Sequence, residues 1–136
     1  QLVANFTLAT DGTYFIRIEN NDGNAVRSGS AILTVSDLPS WTTSAGSLGT
    51  ISAGGTISFT VAATDATSYA VTSGSMPGGA SLNASSGAIT GTETGSTATT
   101  TYNFTITATD AQGQTAARAF SITVTHGIGN AMRFDP

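Results

Sequence analysis

Apolar residues fall on alternate positions in several stretches, the period of a strand with one covered face. In Thr56-Ile-Ser-Phe59-Thr-Val61-Ala-Ala63-Thr-Asp65-Ala66 the residues Phe59, Val61 and Ala63 share a face, and the pattern returns in Thr101-Tyr-Asn-Phe104-Thr-Ile106-Thr-Ala108-Thr-Asp110-Ala111. Thr115-Ala-Ala-Arg-Ala-Phe120-Ser-Ile122-Thr-Val124 alternates as cleanly after the turn residues Asp110 to Gly113. Shorter strands are predicted at 45–51, 67–73, 80–83 and 87–92, with a polar Ser/Thr/Gly loop over 94–101. The expected core is Phe59, Val61, Leu82, Ile89, Phe104, Ile106, Phe120 and Ile122. Apolar positions are sparse, so the core should be thin and its stability modest.

Composition narrows the partners. The chain of 136 residues holds no lysine, only 9% charged residues and a formal net charge of -4, so it offers nucleic acid or an anionic membrane surface no basic patch. No run of about twenty apolar residues is present, and membrane insertion is not expected. Cysteine is absent, which excludes a disulfide scaffold and thiolate metal sites. Threonine, serine, glycine and alanine dominate, and threonine's branched carbon suits the pleated surface. Because the chain opens on Gln1, it reads as a processed product or a segment.

The most informative run is Tyr69-Ala-Val71 leading through Ser73-Gly74-Ser-Met76-Pro77-Gly-Gly79-Ala80-Ser-Leu82 to Gly87-Ala-Ile89-Thr-Gly91-Thr92. Proline cannot donate to a ladder and the glycines accept backbone angles closed to other residues, so a turn joins two strands here. The run resembles the signature of immunoglobulin-like (cadherin-like, dystroglycan-like) domains of phage tail-fibre and bacterial surface proteins. It departs from that signature at Met76 and Ala80, usually leucine, and at Glu93, where proline often follows Gly-Thr. The resemblance implies an all-β, immunoglobulin-like Greek-key sandwich over 44–126, with the two repeated segments as central strands of opposite sheets and aliphatic packing where a cysteine pair would lie.

Residues 1–36 are a different object. Thr10-Asp11-Gly12-Thr-Tyr14-Phe-Ile16-Arg-Ile18 resembles the tyrosine corner of immunoglobulin domains, with Ile16 in the place of the second cysteine and the acidic residue displaced by one. Asn20-Asn-Asp-Gly23 is a hairpin turn and Ala31 to Val35 the return strand. These look like the last three strands of an incomplete second domain, whose face of Tyr14, Ile16, Ile18, Ile32 and Val35 needs cover from upstream residues or another chain. Copies of the same chain, as a homo-oligomer, would supply it. Residues 37–43 read as a linker stiffened by Pro39, and 127–136 as a linker to a following module, since Gly129-Asn-Ala-Met-Arg-Phe134 resembles the lead-in to laminin-G-like jelly rolls.

Candidate chemistry is thin. His126, the sole histidine, would have to carry any triad from a strand end, and the glycine pairs at 54–55 and 78–79 lack the lysine of a phosphate loop. Asn5, Asn83 and Asn103 open glycosylation sequons of the kind chance supplies in so Thr-rich a chain. Asp65 and Asp110 are expected at one end of the sandwich, where Asp37 arrives on the linker, so these three could offer carboxylate oxygens to calcium; as turn residues they need no ion. Trp41, Tyr69 and Tyr102 are stacking candidates for a cell-surface glycan, and for Trp41 packing over a strand end is the plainer role. No cofactor and no enzyme activity are expected. The leading reading is a spacer and adhesion module of a phage tail fibre or related virion surface protein, at the virion surface or otherwise extracellular, presenting a receptor-binding element. The alternative is a carbohydrate-binding module. Exposed aromatics would favour the second and buried ones the first.

Overall fold

The computed structural model describes residues 12–20, 27–35 and 37–127. The chain divides into two compact units, Gln1–Asp37 and Leu38–Pro136. In the first, β1 (Gly12–Asn20) and β2 (Arg27–Val35) form an antiparallel hairpin. The return strand begins four residues before the expected Ala31. Its register sets Leu33 opposite Tyr14 and Ile32 opposite Phe15. The Asn20–Gly23 turn beyond Asn20, the first eleven residues with the Asn5 sequon, and the stretch after Gly127 lie outside the described residues.

The second unit contains β3 (Ser40–Trp41), β4 (Gly46–Ser52), β5 (Thr56–Thr60), β6 (Ala63–Thr64), β7 (Ala66–Gly74), β8 (Ala80–Leu82), β9 (Ala88–Thr92), β10 (Thr100–Asp110) and β11 (Thr115–Thr125). One sheet runs β4-β11-β10-β7 and another β5-β9-β8, with β3 paired to β6. Side chains from both larger sheets meet in one core, which makes this unit an immunoglobulin-like β-sandwich. The segment 115–125 has the predicted limits, and the strands expected at 45–51, 67–73, 80–83 and 87–92 lie within one residue of their expected ends.

Three features differ from expectation. Ser40–Trp41, read as linker, is a strand of the sandwich, opposite Thr64 and Ala63. The 56–66 segment is not central: β5 is an edge and β9 the middle strand. At Val61–Ala62 the chain leaves the ladder, Val61 N–H donating to Gly87 O at 3.0 Å while Ala62 O accepts from Thr42 N–H at 3.0 Å. The sandwich is also not wholly antiparallel, because β4 runs parallel to β11. The entering chain pairs first antiparallel with β6 and then, as β4, runs parallel to β11 in the other sheet.

Ile57, Val61, Tyr69, Ile89, Phe104, Ile106, Ala108, Phe120 and Ile122 form the buried cluster. Six of the eight expected core residues are among them; Phe59 and Leu82 are half-buried against it. Ile57 takes the deeper place on β5 because it lies opposite Gly91, which has no side chain to compete. Phe104 and Phe120 face each other across the β10–β11 ladder with ring centroids 6.4 Å apart. Phe104 is 2% exposed. Phe104→Ala should therefore lower unfolding stability by about 3–5 kcal/mol in urea titration; a loss below ~1 kcal/mol would mean the ring is not part of the core.

Candidate functional site

The aromatic candidates divide between the two ends of the sandwich. Tyr69, on β7, is 7% exposed. Its ring lies on Gly87, where an added Cβ would sit 3.4 Å from Cε2 and collide with Val61 O. Gly87 also has φ 73°, so glycine is required there both for backbone shape and for the close approach of the Val61 carbonyl. The phenolic oxygen accepts from Ala63 N–H at 3.0 Å and donates to Ala63 O at 3.4 Å, while Tyr69 N–H donates to Ala84 O at 2.7 Å. One residue thus joins β7 to β6 and to the loop before β9.

Trp41 closes over this group. Its ring is 5.9 Å from that of Tyr69 and 5.2 Å from that of Phe120, edge-on to the latter, and its indole N–H donates to Ala116 O at 3.1 Å. Both the apolar body and the polar handle are engaged within the fold. Tyr102 lies elsewhere: it is opposite Ile122, whereas Tyr69 is opposite Ala108, a separation of about 20 Å along β10. Its hydroxyl is 3.2 Å from that of Ser96. The structure brings Trp41 and Tyr69 together, and Tyr102 does not join them.

The sheet register places Asp110 opposite Ala66, so Asp65 and Asp110 do reach one end of the sandwich. Asp110 is 4% exposed, and its Oδ1 accepts from Gln112 N–H at 2.9 Å and Gln114 N–H at 2.7 Å, closing the β10–β11 turn. Asp65 is exposed in the β6–β7 turn with φ 63°, a left-handed conformation that aspartate tolerates better than most residues. Asp37, exposed, ends the first unit. Among the described residues no group of three or more His, Cys, Asp or Glu is placed to hold a metal ion.

Glu93 carries a structural role that sequence reasoning missed. It is 3% exposed, accepts from Gly54 N–H at 2.7 Å and Ser96 N–H at 3.1 Å, and donates its own N–H to Gly55 O at 2.9 Å. The carboxylate clasps the β4–β5 turn to the loop after β9. A hydrogen bond with the Ser96 side chain, the Gly54 and Ser96 amides and the charge of His126 hold its pKa below the ordinary carboxylate value, outweighing the opposing effect of burial. The one available signal was a charged residue where the resembled family favours proline. His126 is exposed, and its N–H donates to Thr99 Oγ1 at 3.0 Å. Asn83 Oδ1 accepts from Ser85 and Ser86 amides in a turn, and Asn103 is exposed within β10.

The Putative Ig domain family model matches residues 39–125, and the chain belongs to that family. Among solved structures, an endo-fucoidan hydrolase of glycoside hydrolase family 107 aligns with a TM-score of 0.51 at 19% identity, over 90% of this chain and 21% of the hydrolase. Protocadherin gamma B2 extracellular cadherin domains 3–6 align with 0.48 at 18% identity, over 85% of this chain and 32% of theirs, and mouse cadherin-23 domains EC22–24 with 0.46 at 17%, over 86% and 43%. The chain thus spans about a fifth of the hydrolase. At this identity the hydrolase likeness shows the fold alone. No curated protein matched the sequence. Among the described residues no helix is long and apolar enough to cross a membrane.

The Glu93 clasp has a pH signature. Its pKa is lowered on folding, so its contribution is fully present above the unfolded carboxylate value of about 4.3 and fades as pH falls through the lower folded value. Glu93→Gln should melt below the wild-type protein at neutral pH, with the gap in Tm narrowing on acidification below pH ~4. A gap that is constant with pH would show that the charge of Glu93 contributes nothing to stability.

Proposed function

We propose that this chain is a structural spacer and adhesion module of a phage tail fibre or related virion surface protein, holding a receptor-binding element away from the particle. The observation that carries the reading is where the distinctive side chains go. In the sandwich Trp41 and Tyr69 pack inward, Glu93 and Asp110 bind loop amides, and the Arg118 guanidinium donates to Thr43 O at 2.9 Å. What remains outside is mostly Thr, Ser, Ala and Gly, a surface suited to position and spacing rather than to bond-making. The family assignment and the lead-in at 129–134 support a tandem, extracellular setting. Residues 1–36 are then the last strands of a preceding immunoglobulin-like domain, completed by upstream residues or by another copy, and Asp65 and Asp110 are turn residues.

The carbohydrate-binding alternative makes an opposite demand on Trp41. Glycan panels probed with the 136-residue chain should show no saturable binding, and antibodies to it should label the fibres or surface of intact particles by electron microscopy. Saturable glycan binding lost in a folded Trp41→Leu variant, or labelling confined to the cell interior, would contradict the spacer reading.

A further inference from the structure

We propose that the outer face of the β4-β11-β10-β7 sheet is a contact surface for a second copy of this chain, the two faces packing sheet against sheet about a two-fold axis. Alternation defines the face. On β10 and β11 the positions between the buried ones are threonine, serine or alanine, with a single asparagine at Asn103. The register sets Ser47 and Thr50 of β4 beside Ser121 and Thr123, and Ala70 of β7 beside Thr107. Residues 38–127 contain four Asp, Glu, Lys or Arg side chains, and none lies on this face. Asp65 is in the β6–β7 turn, Glu93 and Asp110 bind loop amides, and Arg118 turns to Thr43 O.

Charge decides which partner fits. Charged side chains ordinarily keep a protein surface wetted and its copies apart, and a sheet face without them meets its own image with no like-charge penalty. The hydroxyls are also partly committed within the copy: those of Thr72 and Thr107 lie 2.8 Å apart, those of Thr101 and Thr123 3.0 Å, and Thr125 Oγ1–H donates to Ile51 O at 3.2 Å. Removing water from such groups costs less than from unpaired ones. Small side chains on both sides let two sheets approach to the ~10 Å of a packed sandwich. A sugar chain is served less well, because the rings of Trp41 and Tyr69 pack inside and Tyr102 is on the inner side of β10, opposite Ile122.

Size sets the strength. At ~4.8 Å between strands and ~3.3 Å per residue, strands of 7, 11, 11 and 9 residues give the face about 600 Å². A pair would bury about 1,200 Å², the lower end of specific interfaces. With no aromatic anchor at its centre the contact is weak between free chains, and it strengthens where many copies are held together. The inference stands apart from the spacer reading, since it needs only two copies.

Thr105 and Ala119 are opposite each other on the two middle strands and mark the centre of the face. In sedimentation equilibrium the full chain should rise toward about twice its monomer mass as its concentration reaches about 1 mM. Thr105→Arg and Thr105→Asp should each weaken association at least about tenfold, and an equal mixture of the two should restore it. Thr90→Arg, at an exposed position of the other sheet, should leave association as it was. Trp41 emission checks that each variant is folded, and Ala119→Arg repeats the test at the neighbouring position. A chain that stays monomeric throughout would overturn the inference, as would an equal mixture that stays monomeric. So would association that survives Thr105→Arg, which would assign it to residues 1–36, or association lost equally with Thr90→Arg.

Discussion

The buried phenol of Tyr69 is the constraint on which the rest of the sandwich depends. A hydroxyl taken out of water must find partners, and here it bonds the backbone of Ala63, on the far side of the break in the 56–66 segment. That pairing fixes where β5 must end and β6 begin. The ring rests against the glycine at 87, whose positive φ and close approach to the Val61 carbonyl exclude a side chain there. Trp41 then finds its place on the exposed edge of the same group, which draws the entering chain onto β6 and sets it up to cross to β11.

From that point the fold uses nearly all the chemistry the sequence provides. Glu93 and Asp110 have the oxygens that elsewhere bind cations or move protons, yet both are turned to loop amides. Such bonds to ionised groups are stronger than neutral ones, and two loops at opposite ends of β10 gain definition from them. With Tyr69, Glu93 and Asp110 buried, the exterior of the sheets presents hydroxyls that bond one another, as Thr72 with Thr107 at 2.8 Å and Thr101 with Thr123 at 3.0 Å.

Much of this was legible in the alternation of residues. Period two says which residues share a face, and Phe104, Ile106, Phe120 and Ile122 are buried as that rule requires. It does not say which strand lies beside which. The edge position of β5 and the parallel pairing of β4 with β11 depend on contacts between residues far apart in the chain, for which local pattern holds no signal. The Asp65 and Asp110 positions were legible as one end of the sandwich, but the amides that occupy Asp110 come from the turn's own geometry. Glu93 and Arg118 were opaque for the same reason as the ladder order: Gly54, which Glu93 ties to the loop after β9, and Thr43, which Arg118 bonds, are 39 and 75 residues away.

The central claim is that the aromatic groups belong to the fold and not to a ligand, and the single tryptophan reports on it directly. Fluorescence of Trp41 in the native chain, followed with a soluble quencher and through urea unfolding, tests it. The account predicts blue-shifted emission, weak quenching, and a red shift on unfolding that coincides with loss of the β-sheet signal. Emission typical of a solvated indole, quenched freely while the sheets remain intact, would contradict it.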